Sequence, residues 1–307
     1  MPLDADVAEL VRVLAETGAP ALSDGTVDEA RRNYDAAPKP DPDPLPHVAD
    51  LTVAGPHGEV PIRVYAAVSD PRDLPVVVFF HGGGWVLSSV DGHDPTARRL
   101  AALTGALVVS VDYRLAPEHP FPAPHDDCWT VTEWLSREAA SIGGDPDRIA
   151  VAGDSAGGNL AAGVAIRARD EGLTLRHQCL IYPCIDSDQA PYASMRENAE
   201  GYFLTAADMD WFWNRYIDPS SRDDPRAVPA RLKDLSGLAP ALVLSAEFDP
   251  LRDEAEVYAS RLAAAGVPVE IRRTPGVVHG FVTRWHTMSR AHEAHEVIAT
   301  ALRRALA

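Results

Sequence analysis

Gly153, Ser155 and Gly157 stand at the spacing G-x-S-x-G, with Asp154 and Ala156 between them. A serine hydroxyl is a poor nucleophile at neutral pH. To attack a carbonyl it needs a base, an orienter for that base, and donors for the developing oxyanion. It also needs a sharp turn to expose it, and glycines on either side let a strand and a helix cross without side-chain collision. Alone, this spacing arises by chance in roughly one chain in ten. Its setting adds weight. Arg148–Ala152 reads as a short buried strand, and Asn159–Ala165 restarts as a small-residue helix whose N-terminal N–H groups face the serine.

Donors are offered upstream. His81-Gly82-Gly83-Gly84-Trp85 follows the apolar run Val76–Phe80, and consecutive glycines let backbone N–H groups approach a substrate oxygen. The order nucleophile, acid, histidine places the base beyond Ser155. Of the eleven histidines, His177, His279, His286, His292 and His295 lie there. His177 precedes a strand, away from the edge where ligands bind. His292 and His295 sit in H-E-A-H, one residue short of a zinc-binding H-E-x-x-H, and read as a solvated helix face. His279, in the loop Pro275–Phe281 after a strand, is the preferred base. For the acid, Glu247 and Asp249 both follow the strand Ala241–Ala246. Asp249, in a tight turn before Pro250, is preferred and Glu247 is held in reserve. Asp253 and Glu254 read as first-turn helix residues.

These groups need a scaffold. Val7, Leu10, Val11 and Leu14 mark an amphipathic helix over Ala5–Thr17, and Thr26-Val27-Asp28-Glu29 is a capping box opening a second helix through Tyr34. Alternating prolines from Pro38 to Pro46 form a stiff connector. Val48–Val53 and Val60–Tyr65 flank a turn, the mark of an antiparallel hairpin. Val76–Phe80, Leu107–Val111, Arg148–Ala152, Leu175–Tyr182, Ala241–Ala246 and Val267–Arg272 supply further strands. Helices alternate with them: one started by Asp94-Pro95, then Pro124–Ala140, Asp253–Ala265 and Ser289–Ala305. The expectation is an α/β fold with a mostly parallel sheet of about eight strands, helices on both faces and a helical cap. Residues 1–45 would be the N-terminal cap segment and connector, and 46–307 the catalytic body with a cap insertion at about 185–225. That insertion holds Tyr202-Phe203 and a Trp211-Phe212-Trp213 cluster on a helix started by Thr205.

Composition narrows the partners. With 28 basic and 45 acidic residues the net charge is −17, which disfavours a nucleic-acid backbone or an anionic membrane. Charged residues make up 24% and apolar residues 46%, the profile of a globular protein. Cys128, Cys179 and Cys184 read as buried thiols rather than a disulfide framework. The first residues lack a basic leader before an apolar run, and no apolar stretch is long enough to span a bilayer. A cytoplasmic location is expected, with a homodimer as the assembly considered.

Taken together, His81–Trp85, Asp112-Tyr113-Arg114-Leu115-Ala116-Pro117-Glu118, Gly153–Gly157, Tyr182-Pro183, Phe248–Asp253 and His279-Gly280-Phe281 resemble the hormone-sensitive-lipase family of bacterial esterases (family IV), from about Leu45 to the C-terminus. The resemblance implies an α/β-hydrolase fold, with Ser155 as nucleophile, His279 as base and Asp249 as its orienter. It further implies an oxyanion hole from the N–H groups of Gly83, Gly84 and Ala156, with His81 and Gly82 supporting that loop. Trp85, Tyr182, Tyr202, Phe203, Trp211 and Phe212 are the residues expected to line the pocket. The expected activity is hydrolysis of short- to medium-chain acyl esters through an acyl-enzyme, with a small-molecule ester and water as the substrates and no cofactor or metal. An amidase or formamidase with the same machinery is the alternative. A receptor on this fold, of the kind that lost its catalytic histidine in plants, is disfavoured by the presence of His279.

Overall fold

Runs of β-branched and aromatic residues without charge are satisfied only where both faces of a strand are covered. The computed structural model describes residues 2–18 and 25–307. A hairpin of His47–Gly55 (β1) and Gly58–Ala66 (β2) is followed by Leu74–Phe80 (β3), Leu107–Val111 (β4), Gly144–Asp154 (β5), His177–Ile181 (β6), Ala241–Phe248 (β7) and Val269–Val278 (β8). They form one eight-stranded sheet in the order β1-β2-β4-β3-β5-β6-β7-β8. β2 runs antiparallel to β1 and β4, and every other pairing is parallel.

Alternation along the strands feeds two cores. Val76, Val78 and Phe80 join Trp129, Leu135 and Leu160 from helices Ala123–Glu138 and Ala156–Glu171. Val77 and Phe79 join Leu100, Ile298 and Leu302 from helices Val90–Thr104 and Ser289–Leu306. With Ala5–Thr17 as α1 and Val27–Ala36 as α2, these helices are α3 (90–104), α4 (123–138), α5 (156–171) and α9 (289–306). Ala193–Glu197 (α6), Ala206–Tyr216 (α7) and Arg252–Ala264 (α8) complete the set.

Four parallel strands end at one edge of the sheet, and the residue after each is a candidate for chemistry: His81 after β3, Ser155 after β5, Asp249 after β7 and His279 after β8. This is the edge where α/β sheets bind ligands. The N-terminal helices clamp it. Just before α1, Asp4 donates its N–H to the Gly276 carbonyl (2.9 Å) and pairs with Arg290 (2.8 Å). On α2, Arg31 donates to the carbonyls of Val86 and Ala116 and pairs with Glu118. Thr26 forms the expected capping box with Glu29.

Some boundaries differ from the sequence reading. Helix α3 starts at Val90 rather than Asp94-Pro95. The Ser89 hydroxyl accepts the Gly92 N–H, and Asp112 accepts that of Val90. Pro95 therefore lies inside the helix, where Asp94 anchors its turn to Arg63, Tyr65 and Arg98. Strand β8 does not stop at Arg272 but continues through Pro275-Gly276 to Val278. An edge strand spares proline a ladder bond, and the register with β7 shifts at Ala246/Phe248 to absorb the irregularity. His295 is buried (1% exposed) and bonds the Val282 carbonyl, so only part of the H-E-A-H face meets solvent.

Burial also keeps several histidines uncharged. It pushes His81 and His295 down to about 3 and His177 to about 4. The unfolded chain takes up these protons near pH 6.5 while the native fold does so only at about 3 to 4, so stability falls as pH drops through that window. Each histidine should contribute about 1.4 kcal/mol per pH unit there. Denaturant titrations between pH 4 and 6.5 should show that His177→Leu removes one such share of the slope. An unchanged slope would contradict this assignment.

Candidate active site

Ser155 stands between β5 and α5 at φ 57°, ψ −120°, a backbone region that non-glycine residues avoid. Close packing on both sides maintains it. A Cβ at Gly157 would overlap the Phe80 carbonyl, and one at Gly153 the Gly157 carbonyl. The Ser155 N–H donates to Ile181 in β6 (2.8 Å), which fixes the turn to the next strand.

Two further side chains converge on the hydroxyl. His279 Nε2 lies 2.9 Å from Ser155 Oγ, and its Nδ1 lies 2.7 Å from Asp249 Oδ2. Asp249 is fully buried, and its other oxygen accepts the Leu251 N–H (2.9 Å) in the turn that Pro250 enforces. With Nδ1–H donated to the carboxylate, Nε2 presents a lone pair to the serine. Glu247, the reserve acid, instead accepts the Gly276 N–H (2.8 Å) and stabilises the irregular part of β8.

The glycine loop lies against this cluster. Gly83 (φ 115°) and Gly84 (φ 59°) adopt conformations suited to glycine. Among the described residues no acceptor takes the N–H of Gly83, Gly84 or Ala156. The loop is anchored at both ends. The Gly82 N–H donates to Asp154 Oδ1 (3.0 Å), and His81 stacks on Tyr113, whose hydroxyl donates to the His81 carbonyl (2.7 Å). Burial opposes the charge on Asp154, but His93, His81 and the Gly82 N–H outweigh it and hold the carboxyl below its usual range. His93 Nε2 sits 3.2 Å from Asp154, and its Nδ1 lies 2.9 Å from the Ser88 hydroxyl. Neither His93 nor Ser88 stood out in the sequence, although a second histidine so close to the glycines was a signal.

The expected pocket residues divide. Tyr182 packs its ring on His279 (4.7 Å between centroids), Phe203 sits against Gly280, and Phe212 covers Gly84 closely enough to exclude any side chain there. Tyr202 stacks on Phe248 beside Asp249. Trp85 and Trp211 pack against other rings. Trp85 is fully buried, stacked on Tyr216 (4.2 Å) and tilted against Trp213, while Trp211 meets Phe212 edge-on under the Arg215 guanidinium. Asn198, which donates to the Asp249 carbonyl, and Cys184, with Sγ 4.0 Å from Ser155 Oγ, were not singled out in the sequence either. All three cysteines are buried free thiols. Among the described residues no group of three His, Cys, Asp or Glu side chains could hold a metal, and no helix is long and apolar enough to cross a membrane.

The hydrogen-bond chain ranks the two acids. Asp249→Asn should lower kcat on an activated ester by about three to four orders of magnitude, because the wrong imidazole tautomer then faces the serine. Glu247→Gln should cost less than about tenfold on the same reasoning. Steady-state kinetics of both variants would reverse the ranking if Glu247→Gln proved the more damaging.

The chain is similar to known proteins. Residues 77–283 match a family model described as the alpha/beta hydrolase fold. The chain is 47% identical over 253 residues to carboxylesterase NlhH of Mycobacterium tuberculosis, covering 81% of this chain and 79% of that one. It is 37% identical to an arylesterase of Saccharolobus solfataricus, covering 92% and 93% of the two chains. A solved structure of a hyperthermophilic esterase from Pyrobaculum calidifontis superposes over the full length of both chains with a TM-score of 0.94 at 42% identity. The chain therefore belongs to the α/β-hydrolase family, within its hormone-sensitive-lipase-like group of carboxylic ester hydrolases.

Proposed function

We propose that this protein hydrolyses short- to medium-chain carboxylic esters through an acyl-enzyme formed on Ser155. The observation that carries the proposal is the buried chain from Ser155 Oγ to His279 (2.9 Å) and on to Asp249 (2.7 Å). As Ser155 Oγ attacks the ester carbonyl, His279 Nε2 takes its proton, and Asp249 steadies the imidazolium. The carbonyl oxygen becomes an oxyanion held by the N–H groups of Gly83, Gly84 and Ala156, the last placed at the N-terminus of α5. Collapse of the intermediate breaks the ester C–O bond, and the alcohol departs with the proton from His279. Water then repeats the sequence on the acyl-enzyme, giving the acid and free Ser155. The relatives' names favour esters over amides as the scissile bond.

Residues 1–45 and the insertion at about 185–225 form the cap in this reading. Support comes from α2, held over the glycine loop by Arg31, and from α7, whose Phe212 covers Gly84. Such a cover limits acyl length and excludes water from the tetrahedral intermediate.

A panel of p-nitrophenyl acetate, butyrate and decanoate tests the proposal. The unaltered protein should turn over the first two faster than the decanoate, and removal of residues 1–34 should change that ranking. Ser155→Ala should lose activity by at least about a thousandfold with its melting temperature nearly unchanged. Retention of more than about 1% of activity would remove Ser155 from its role.

A further inference from the structure

In so acidic a chain, arginines readily find carboxylates. Arg63 binds Asp50 and Asp91, Arg114 binds Asp127, and Arg252 binds Glu197. Arg284 has no ion pair or hydrogen bond from its guanidinium among the described residues. It ends the short helix Phe281–Arg284, whose first residue is two beyond His279. It is half-buried, and its guanidinium lies 4.5 Å from the centre of the Phe203 ring. Burial lowers its pKa, whereas Arg63, Arg114 and Arg252 are raised by their carboxylates.

The surroundings place Arg284 at the site. Phe203 also touches Gly280, next to the imidazole. Tyr182, which packs on His279, and Tyr34 of α2 both lie within electrostatic reach of the guanidinium. The Tyr182 hydroxyl is buried and has no hydrogen-bond partner among the described residues. A half-buried cation without a counter-ion among the described residues and an unsatisfied hydroxyl therefore both belong to side chains close to His279. A partly buried charge left unpaired in this way is costly unless something binds it. A carboxylate suits the pair, because the planar guanidinium can receive both of its oxygens.

We propose that Arg284 is a specificity-determining residue that selects esters carrying a second, anionic group, a carboxylate on either the acyl or the alcohol part. The proposal rests on the esterase reading above. It gives a substrate class to a pocket otherwise lined by aromatic rings.

Two matched pairs of esters test it. Mono-p-nitrophenyl adipate against p-nitrophenyl hexanoate puts the carboxylate on the acyl side. 4-Acetoxybenzoate against phenyl acetate puts it on the alcohol side. In at least one pair, Arg284→Gln should lower the charged-to-neutral ratio of kcat/KM by about tenfold or more, mainly through KM. Arg284→Lys should recover part of that ratio, and it keeps the test readable if the glutamine variant folds poorly. Added salt should lower the same ratio in the unaltered protein. Equal ratios for the unaltered protein and Arg284→Gln in both pairs would overturn the proposal. Failure of the unaltered protein to hydrolyse either neutral ester would overturn the esterase reading, and this proposal with it.

Discussion

Helix α5 leaves β5 so close to the end of β3 that no side chain fits between them. At Gly157 a Cβ would occupy the place of the Phe80 carbonyl, and at Gly153 that of the Gly157 carbonyl. That contact forces the reversal of the chain into one residue, so Ser155 takes up its strained φ of 57°. The strain has to be supported by its surroundings, and α5 supplies much of that support. The helix is buried almost throughout, and its small residues are those that let it lie flat on the sheet. At Gly163 the helix touches the Arg226 backbone, and at Gly158 it touches Pro183.

The same crossing joins Ser155 to the glycine loop. Asp154, the residue before Ser155, accepts the Gly82 N–H, and His93 links that carboxylate to Ser88 at the far end of the glycine segment. Strand β5 and the loop after β3 are therefore held to each other by a buried polar network, not by packing alone. Such a network fixes geometry because a partner removed from it leaves a buried polar group unsatisfied. In this reading, positioning of the N–H donors and of the serine is a single structural problem with one solution.

Much of this was legible in the sequence because strand-ending residues follow apolar runs. His81, Ser155 and Asp249 each come directly after a strand that carries a buried apolar run, whereas β8 before His279 is buried only over its last three residues. What escaped depended on longer range. A helix start at Asp94-Pro95 left His93 in an apparent loop, whereas the Ser89 cap places it in the first turn of α3, facing Asp154. The end of β8 was hidden by Pro275-Gly276, which an edge strand tolerates and a central strand would not. Trp85 and Trp211 could not be placed by type alone, since only the docking of α7 brings Trp213 and Tyr216 against Trp85 and sets Trp211 against Phe212. Arg284 does not stand out in the sequence for a simpler reason: whether a guanidinium lacks a counter-ion among the described residues is a property of the folded surroundings.

A covalent intermediate on one strained serine is the central claim, and it can be read without any choice of substrate. The protein would be incubated with a fluorophosphonate and analysed intact and after proteolysis by mass spectrometry. One adduct per chain is expected, on Ser155, with hydrolysis of p-nitrophenyl butyrate lost in step with its formation. Complete labelling at another residue, or full loss of activity with Ser155 unmodified, would contradict it.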